Sequence, residues 1–250
     1  MLTSVQIDGF RRDGFLILRG HFPAERISRV GSAIDALAAR PPRAGHEMAY
    51  YEDSVTEPGR RILSRIEKFV EEDEVLGNFI TGGGIAELAA QLLGGPSTLF
   101  KEKINFKLPG GQGFLPHQDI QPGWDSYAPY FISVLVTIDP STAENGCIEL
   151  SAGQHKRGWI GERMKPLTGE QLAGVDFDKY PTDPGDLVFF DCFAPHQSAP
   201  NLTSRPRRNL YLTFSRAADG DQRLRYFGDK RAAFPPDFER KPGSSYNFKV

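Results

Sequence analysis

His117 and Asp119 stand two residues apart in "GFLPHQDIQPGW" (113–124), in a chain of 250 residues with five histidines. On a β-strand, residues two apart project from the same face, roughly 6.6–6.8 Å apart along the chain. An imidazole and a carboxylate at that spacing can converge on one small cation. A site of this kind needs a third ligand, and the other histidines are His21, His46, His155 and His196. Only His196 follows a β-like run, "DLVFFDC" (186–192), that could return to the same wall of a barrel.

Two imidazoles and one carboxylate on one face of a metal leave the opposite positions open, which suits a non-haem Fe(II) that must admit a co-substrate and dioxygen (O2). Zinc competes for the same donor set, but the helical HExxH pattern of zinc hydrolases is absent. An oxygenase of this kind that uses 2-oxoglutarate also needs a cation for the distal carboxylate. A guanidinium meets that group with two parallel hydrogen bonds. Arg205, Arg207 and Arg208 lie a few residues past His196, and Arg207 and Arg208 begin a strand, so they face opposite sides.

The elements that must position these residues divide the chain. A short helix with Thr3 or Ser4 as N-cap leads into the apolar run "DGFLILRG" (13–20). Residues 22–40 place Ile27, Val30, Ile34 and Leu37 at helical spacing, and Pro41-Pro42 ends that helix. The stretch 41–61, rich in proline, glycine and charge, reads as a long loop and a candidate lid. Residues 71–80 and 82–94 read as two more helices. Beyond Pro96 come short β-rich runs, "TLFKEKINFKL", "YFISVLVTID", "CIELS", "DLVFFDC" and "RNLYLTFSR", with turn signals at Asn145-Gly146 and Pro184-Gly185. Helices first and strands afterwards predict one α+β domain over residues 1–250, with helices buttressing an antiparallel sandwich or barrel.

Bulk properties narrow the function classes. Thirty basic against thirty-two acidic residues give a net charge of −2, without the basic excess that binding to a phosphate backbone demands. No apolar run approaches the roughly 20 residues of a membrane span, and the N-terminus lacks the order of a signal peptide. Cys147 and Cys192 have no CxxC spacing and read as packed side chains in a reducing compartment. The expectation is a cytoplasmic protein, monomer or homodimer, whose partner is a small molecule, not nucleic acid or membrane.

The positions His117, Asp119, His196 and Arg207 resemble those of the phytanoyl-CoA dioxygenase family of Fe(II)/2-oxoglutarate oxygenases. Supporting segments are "DGFLILRG", "INFKLPGGQGFLPHQD", "ENGCIELSAGQHKRG" and "PGDLVFFDCFAPHQSAPN". The resemblance implies a double-stranded β-helix (jelly roll) with His117, Asp119 and His196 on the iron. In the family the arginine lies eleven positions past the second metal histidine, which selects Arg207 for 2-oxoglutarate. It further implies that Ser198 and Asn105 help hold the keto acid and that His155 is structural. A carboxylate at Asp119, where related halogenases have a small residue, implies hydroxylation, with succinate and carbon dioxide released.

If "KEKINFKL" (101–108) is a barrel strand, Lys103, Asn105 and Lys107 share one face. Turned inward, that face suits an anionic substrate; turned outward, the lysines solvate a surface. This segment, 123–131 and 226–240 are similar to bacterial members that hydroxylate small zwitterions, aminoalkylphosphonates among them. That similarity implies Lys103 and Lys107 as substrate contacts and Asp125, Tyr127 and Tyr130 as partners of an ammonium group; packing at the rim is the alternative for the tyrosines. Members acting on larger natural products share many of these features. A jelly-roll module that binds metal without catalysis is a further alternative.

Overall fold

A computed structural model describes residues 1–244 and 246. The N-terminal helix α1 (Ser4–Asp13) opens with a reciprocal cap: Thr3 accepts from the Gln6 amide, and the Gln6 side chain accepts from the Thr3 amide. Strand β1 (Phe15–Leu18) follows, then α2 (Ala24–Ala38), which buries the stripe Ile27, Val30, Ile34 and Leu37. Next come β2 (Met48–Asp53), β3 (Arg61–Glu67), α3 (Glu74–Gly82) and α4 (Ile85–Leu93). The remaining strands are β4 (Ser97–Lys107), β5 (Phe114–His117), β6 (Ile132–Thr137), β7 (Ile148–Leu150), β8 (Asp178–Tyr180), β9 (Leu187–Asp191), β10 (His196–Ser198) and β11 (Arg207–Arg216). Helix α5 (Arg223–Ala233) comes last.

The strands form two antiparallel sheets. One has seven strands in the order β1-β9-β6-β11-β4-β3-β2, the other four in the order β5-β10-β7-β8. This is the double-stranded β-helix, open at its edges rather than closed. Along the central strands of the large sheet, alternate residues divide two environments. Val134, Val136, Phe189, Leu210, Leu212 and Phe214 pack with α2, α3 and α4 in the main apolar core, each contributing about 1.5–3 kcal/mol relative to an exposed side chain. Leu135, Val188 and Phe190 face the other way and pack with Ile148 and Leu150 of the small sheet.

The stretch 41–61 is not one long loop. Residues 48–53 and 61–67 pair as a hairpin and extend the large sheet, with Arg65 opposite Asn105 and Glu67 opposite Lys103. A register shift between Tyr50 and Tyr51 breaks the period-two alternation there, and the proline, glycine and charge of the flanking segments hide the strands. Cys147 and Cys192 are both buried free thiols. Among the described residues, no helix is long and apolar enough to cross a membrane.

Candidate metal centre

His117 closes β5 and His196 opens β10, and the two are direct partners across the small sheet. That register sets their ring centroids 4.2 Å apart. Asp119 follows on the turn after β5, with Oδ1 3.8 Å from His196 Nε2. One ligand atom from each of the three residues lies within 4.8 Å of the other two. Two donors at bond lengths of about 2.1 Å lie no more than about 4.2 Å apart, so small side-chain adjustments bring all three onto one ion.

Neighbouring groups orient each donor. Nδ1 of His117 donates to the Leu115 carbonyl (2.7 Å), and Nδ1 of His196 donates to the Ala194 carbonyl (3.0 Å). Both imidazoles are thereby held with Nε2 as the free donor. Asp119 accepts a short hydrogen bond from Ser133 Oγ, and Phe190 packs on the His196 ring at 4.8 Å. Burial is the main cause that pushes His117 down to about 3, assisted by His196, and burial also lowers His196. Both therefore stay neutral, the state that ligates metal. Burial works to raise the Asp119 carboxyl; either imidazole once protonated, Lys103 and the Ser133 hydroxyl lower it, and the net direction is downward.

Arg207 is fully buried at 1% exposure, opposite Lys107 on β4. With the Asn209 amide oriented oxygen-inward, Nη1 of Arg207 donates to it at 2.6 Å. Among the described residues Arg207 Nε has no hydrogen-bond partner, and neither has Oδ1 of the buried Asn105. A buried guanidinium that faces neutral groups and keeps an idle donor fits an incoming carboxylate. Arg208 points outward onto Asp139 and Asp35, and Arg205 is exposed.

The phytanoyl-CoA dioxygenase (PhyH) family model matches residues 10–209. The chain belongs to the phytanoyl-CoA dioxygenase family. It is an Fe(II)/2-oxoglutarate-dependent dioxygenase that uses O2 and acts on a small molecule. It is 35% identical over 247 residues to the 2-aminoethylphosphonate dioxygenase of uncultured bacterium HF130_AEPn_1, covering 98% of this chain and 94% of that one. It is 33% identical over 234 residues to the methylphosphonate hydroxylase of Gimesia maris, covering 93% and 88%. The fold matches the structure of EctD from S. alaskensis with 2-oxoglutarate and 5-hydroxyectoine, with a TM-score of 0.72, 23% identity and coverage of 87% and 77%.

The remaining candidates of this dioxygenase occupy different places. The lysine face of β4 is the inner one: Lys101, Asn105 and Lys107 are 5%, 3% and 2% exposed. Lys107 Nζ donates to Ser198 Oγ (2.7 Å), the Ala199 carbonyl (2.6 Å) and the Gly146 carbonyl (3.2 Å). It thus ties Ser198 to the Arg207 end. Burial pushes Lys107 down to about 6 and Lys103 to about 7. Lys103 lies against the rings of Tyr211 and Phe114. Asp125 is exposed and ion-paired with Arg163, Tyr127 Oη donates to Asp229, and Tyr130 Oη donates to Asp191. These bonds engage the two phenol hydroxyls and one Asp125 oxygen within the protein. His155 packs on Gly14, where a Cβ would meet its ring at 2.4 Å, and donates to the Arg11 carbonyl.

Sequence reasoning passed over the hydroxyl that holds Asp119 and four charged residues further along the inner face: Arg65, Glu67, Lys101 and Lys230. Lys101 had a usable signal, since it extends the alternation Lys103, Asn105, Lys107 by one step. Arg65, Glu67 and Lys230 had none, because their convergence depends on the pairing of β3 with β4 and on where α5 lands.

Proposed function

We propose that this dioxygenase hydroxylates a small organophosphonate, converting 2-oxoglutarate and O2 to succinate and carbon dioxide as one C–H bond becomes C–OH. The observation that carries this reading is 33–35% identity, over nearly the whole chain, to two enzymes named for phosphonate substrates. The buried, lysine-rich inner face of β4 supports it, because a dianionic ligand needs cations in a water-poor interior. In this reading one domain spans residues 1–250 and works in the cytoplasm, in keeping with two unpaired cysteines.

His117, Asp119 and His196 are the residues that would hold the iron, which when bound supplies the redox chemistry toward O2. The Leu115 and Ala194 carbonyls fix the tautomers, and Ser133 fixes the Asp119 carboxylate, so the donor atoms are oriented before metal arrives and need only small adjustments. Arg207 takes the distal carboxylate of 2-oxoglutarate. Asn105 lies beside it, and Ser198 is held near by Lys107. Burial of these residues keeps water from the reacting centre.

The test is turnover by protein loaded anaerobically with Fe(II), then given 2-oxoglutarate, O2 and either methylphosphonate or 2-aminoethylphosphonate. Succinate in equal amount to a product carrying one added oxygen is the expected outcome. Turnover of other small zwitterions with no reaction of any phosphonate would overturn the substrate assignment.

A further inference from the structure

We propose that Lys101, Arg65 and Lys230, gathered around Glu67, form the subsite that receives the phosphonate group, away from the Arg207 end of the interior. This assignment rests on the phosphonate reading above and adds the residues that recognise the anion.

Lys101 is 5% exposed. Among the described residues its ammonium makes no hydrogen bond or ion pair; its neighbours are the ring faces of Trp124 (5.1 Å) and Tyr226 (5.5 Å). A buried ammonium left with only ring faces is costly and calls for an anion. Glu67 is fully buried and ion-paired with both Lys230 and Arg65, the latter at 3.0 Å. Burial alone would raise the Glu67 carboxyl, yet Lys230, Lys101 and Arg65 together hold it far below the carboxylate range. All three cations therefore act on one point. Three basic groups around Glu67, with Asp119 also acting on Lys101, leave a surplus of positive charge once a bound anion offsets the burial that lowers Lys101 and Lys230, which suits a phosphonate. The carboxylate of β4 itself, Glu102, is already held by Arg223.

Position separates Lys101 from the keto acid site, although Arg65 stands opposite Asn105. Across the β4–β11 pair, Arg207 lies opposite Lys107, whereas Thr213 lies opposite Lys101, roughly 20 Å further along the strand. One molecule of 2-oxoglutarate cannot reach both ends. The cage is instead close to the metal ligands: Thr213 is also paired with Ser133, whose hydroxyl donates to Asp119. Lys101, Thr213 and Ser133 thus form one row across three adjacent strands. A substrate of a few heavy atoms anchored at Lys101 points its carbons toward Asp119. A cleft of about 240 Å³ borders the cage, its lining including Tyr127, Arg163, Tyr226, Lys230 and Phe234. Lys230 and Tyr226 belong to both the cleft and the cage.

The experiment is steady-state kinetics of the iron-loaded enzyme with 2-aminoethylphosphonate and methylphosphonate, in wild type, Lys101→Met and Lys101→Arg, with inorganic phosphate as inhibitor. Lys101→Met is expected to raise the phosphonate KM about 10- to 100-fold, the range of a lost charge-assisted hydrogen bond. The 2-oxoglutarate KM should stay within about twofold. Lys101→Arg should restore part of the loss, and phosphate should compete with the phosphonate and not with 2-oxoglutarate. Failure of Lys101→Arg to recover any of the loss would mark the lysine as structural and overturn the assignment. An unchanged phosphonate KM in Lys101→Met, with wild type active, would overturn the cage and leave the functional reading standing. Absence of phosphonate turnover by wild type would instead overturn that reading itself.

Discussion

The two ends of the inner face of β4 handle buried positive charge in opposite ways. At the Arg207 end the basic groups meet neutral acceptors: the Asn209 amide oxygen for Arg207, and two carbonyls and a hydroxyl for Lys107, which burial pushes down to about 6. At the Lys101 end the cations surround a fully buried carboxylate, Glu67, and still outnumber it. An arginine among neutral groups is poised for a single carboxylate that arrives with every turnover. A cage that already contains a fixed anion has its cations held in place and keeps a surplus for a ligand of higher charge. The metal triad uses a third arrangement, with two imidazoles kept neutral by burial beside one ionised carboxylate.

The largest effects are expected at the triad, where neither end can compensate. His117→Ala and Asp119→Ala should each lose iron and activity to background, read by metal analysis and by succinate release. Arg207→Met should come next, raising the 2-oxoglutarate KM about 100-fold with little change in the phosphonate KM, since a bidentate charge-assisted contact is lost. Ser133→Ala should weaken iron binding about tenfold or more, within the range known for groups that orient a ligand, as an iron titration would read.

Proton linkage gives a further contrast. An unfolded histidine takes up a proton near pH 6.5, whereas burial holds His117 down to about 3. Between those values unfolding binds a proton that folding excludes, so stability of the metal-free protein is present above pH 6.5 and falls as pH drops, by about 1.4 kcal/mol per pH unit for each such histidine. Urea denaturation at pH 7 and pH 5 checks the sign. The smallest effect belongs to the rim: Asp125→Asn, which breaks only an exposed pair with Arg163, should cost under about 1 kcal/mol and leave the substrate KM within about twofold.

The unequal legibility of these regions in the sequence has a physical cause. His117 and Asp119 announce themselves because strand alternation alone puts them on one side, and His196 because an apolar run leads straight into it. Arg207 is singled out from Arg205 and Arg208 only by the family resemblance. The triad residues are marked by short stretches of chain. The stripe Ile27, Val30, Ile34 and Leu37 of α2 is readable for the same reason. Arg65 and Glu67 lie on a strand whose hairpin partner carries a bulge, next to a segment that composition marks as loop. Lys230 comes from a helix that reaches the sheet only through tertiary packing. Charged side chains of this kind read as solvated surface until a register sets them face to face. Each triad residue is marked by its local stretch, although the pairing of β5 with β10 is what joins them, whereas nothing local marks the cage.

The separation of the two ends is tested most directly by crossing two variants with two substrates. KM for 2-oxoglutarate and for 2-aminoethylphosphonate would be measured in Arg207→Met and Lys101→Met, each loaded with iron. The expected result is a double dissociation, with the first variant moving only the keto acid and the second only the phosphonate. Equal shifts of both KM values in either variant would show one shared anion site and contradict the division.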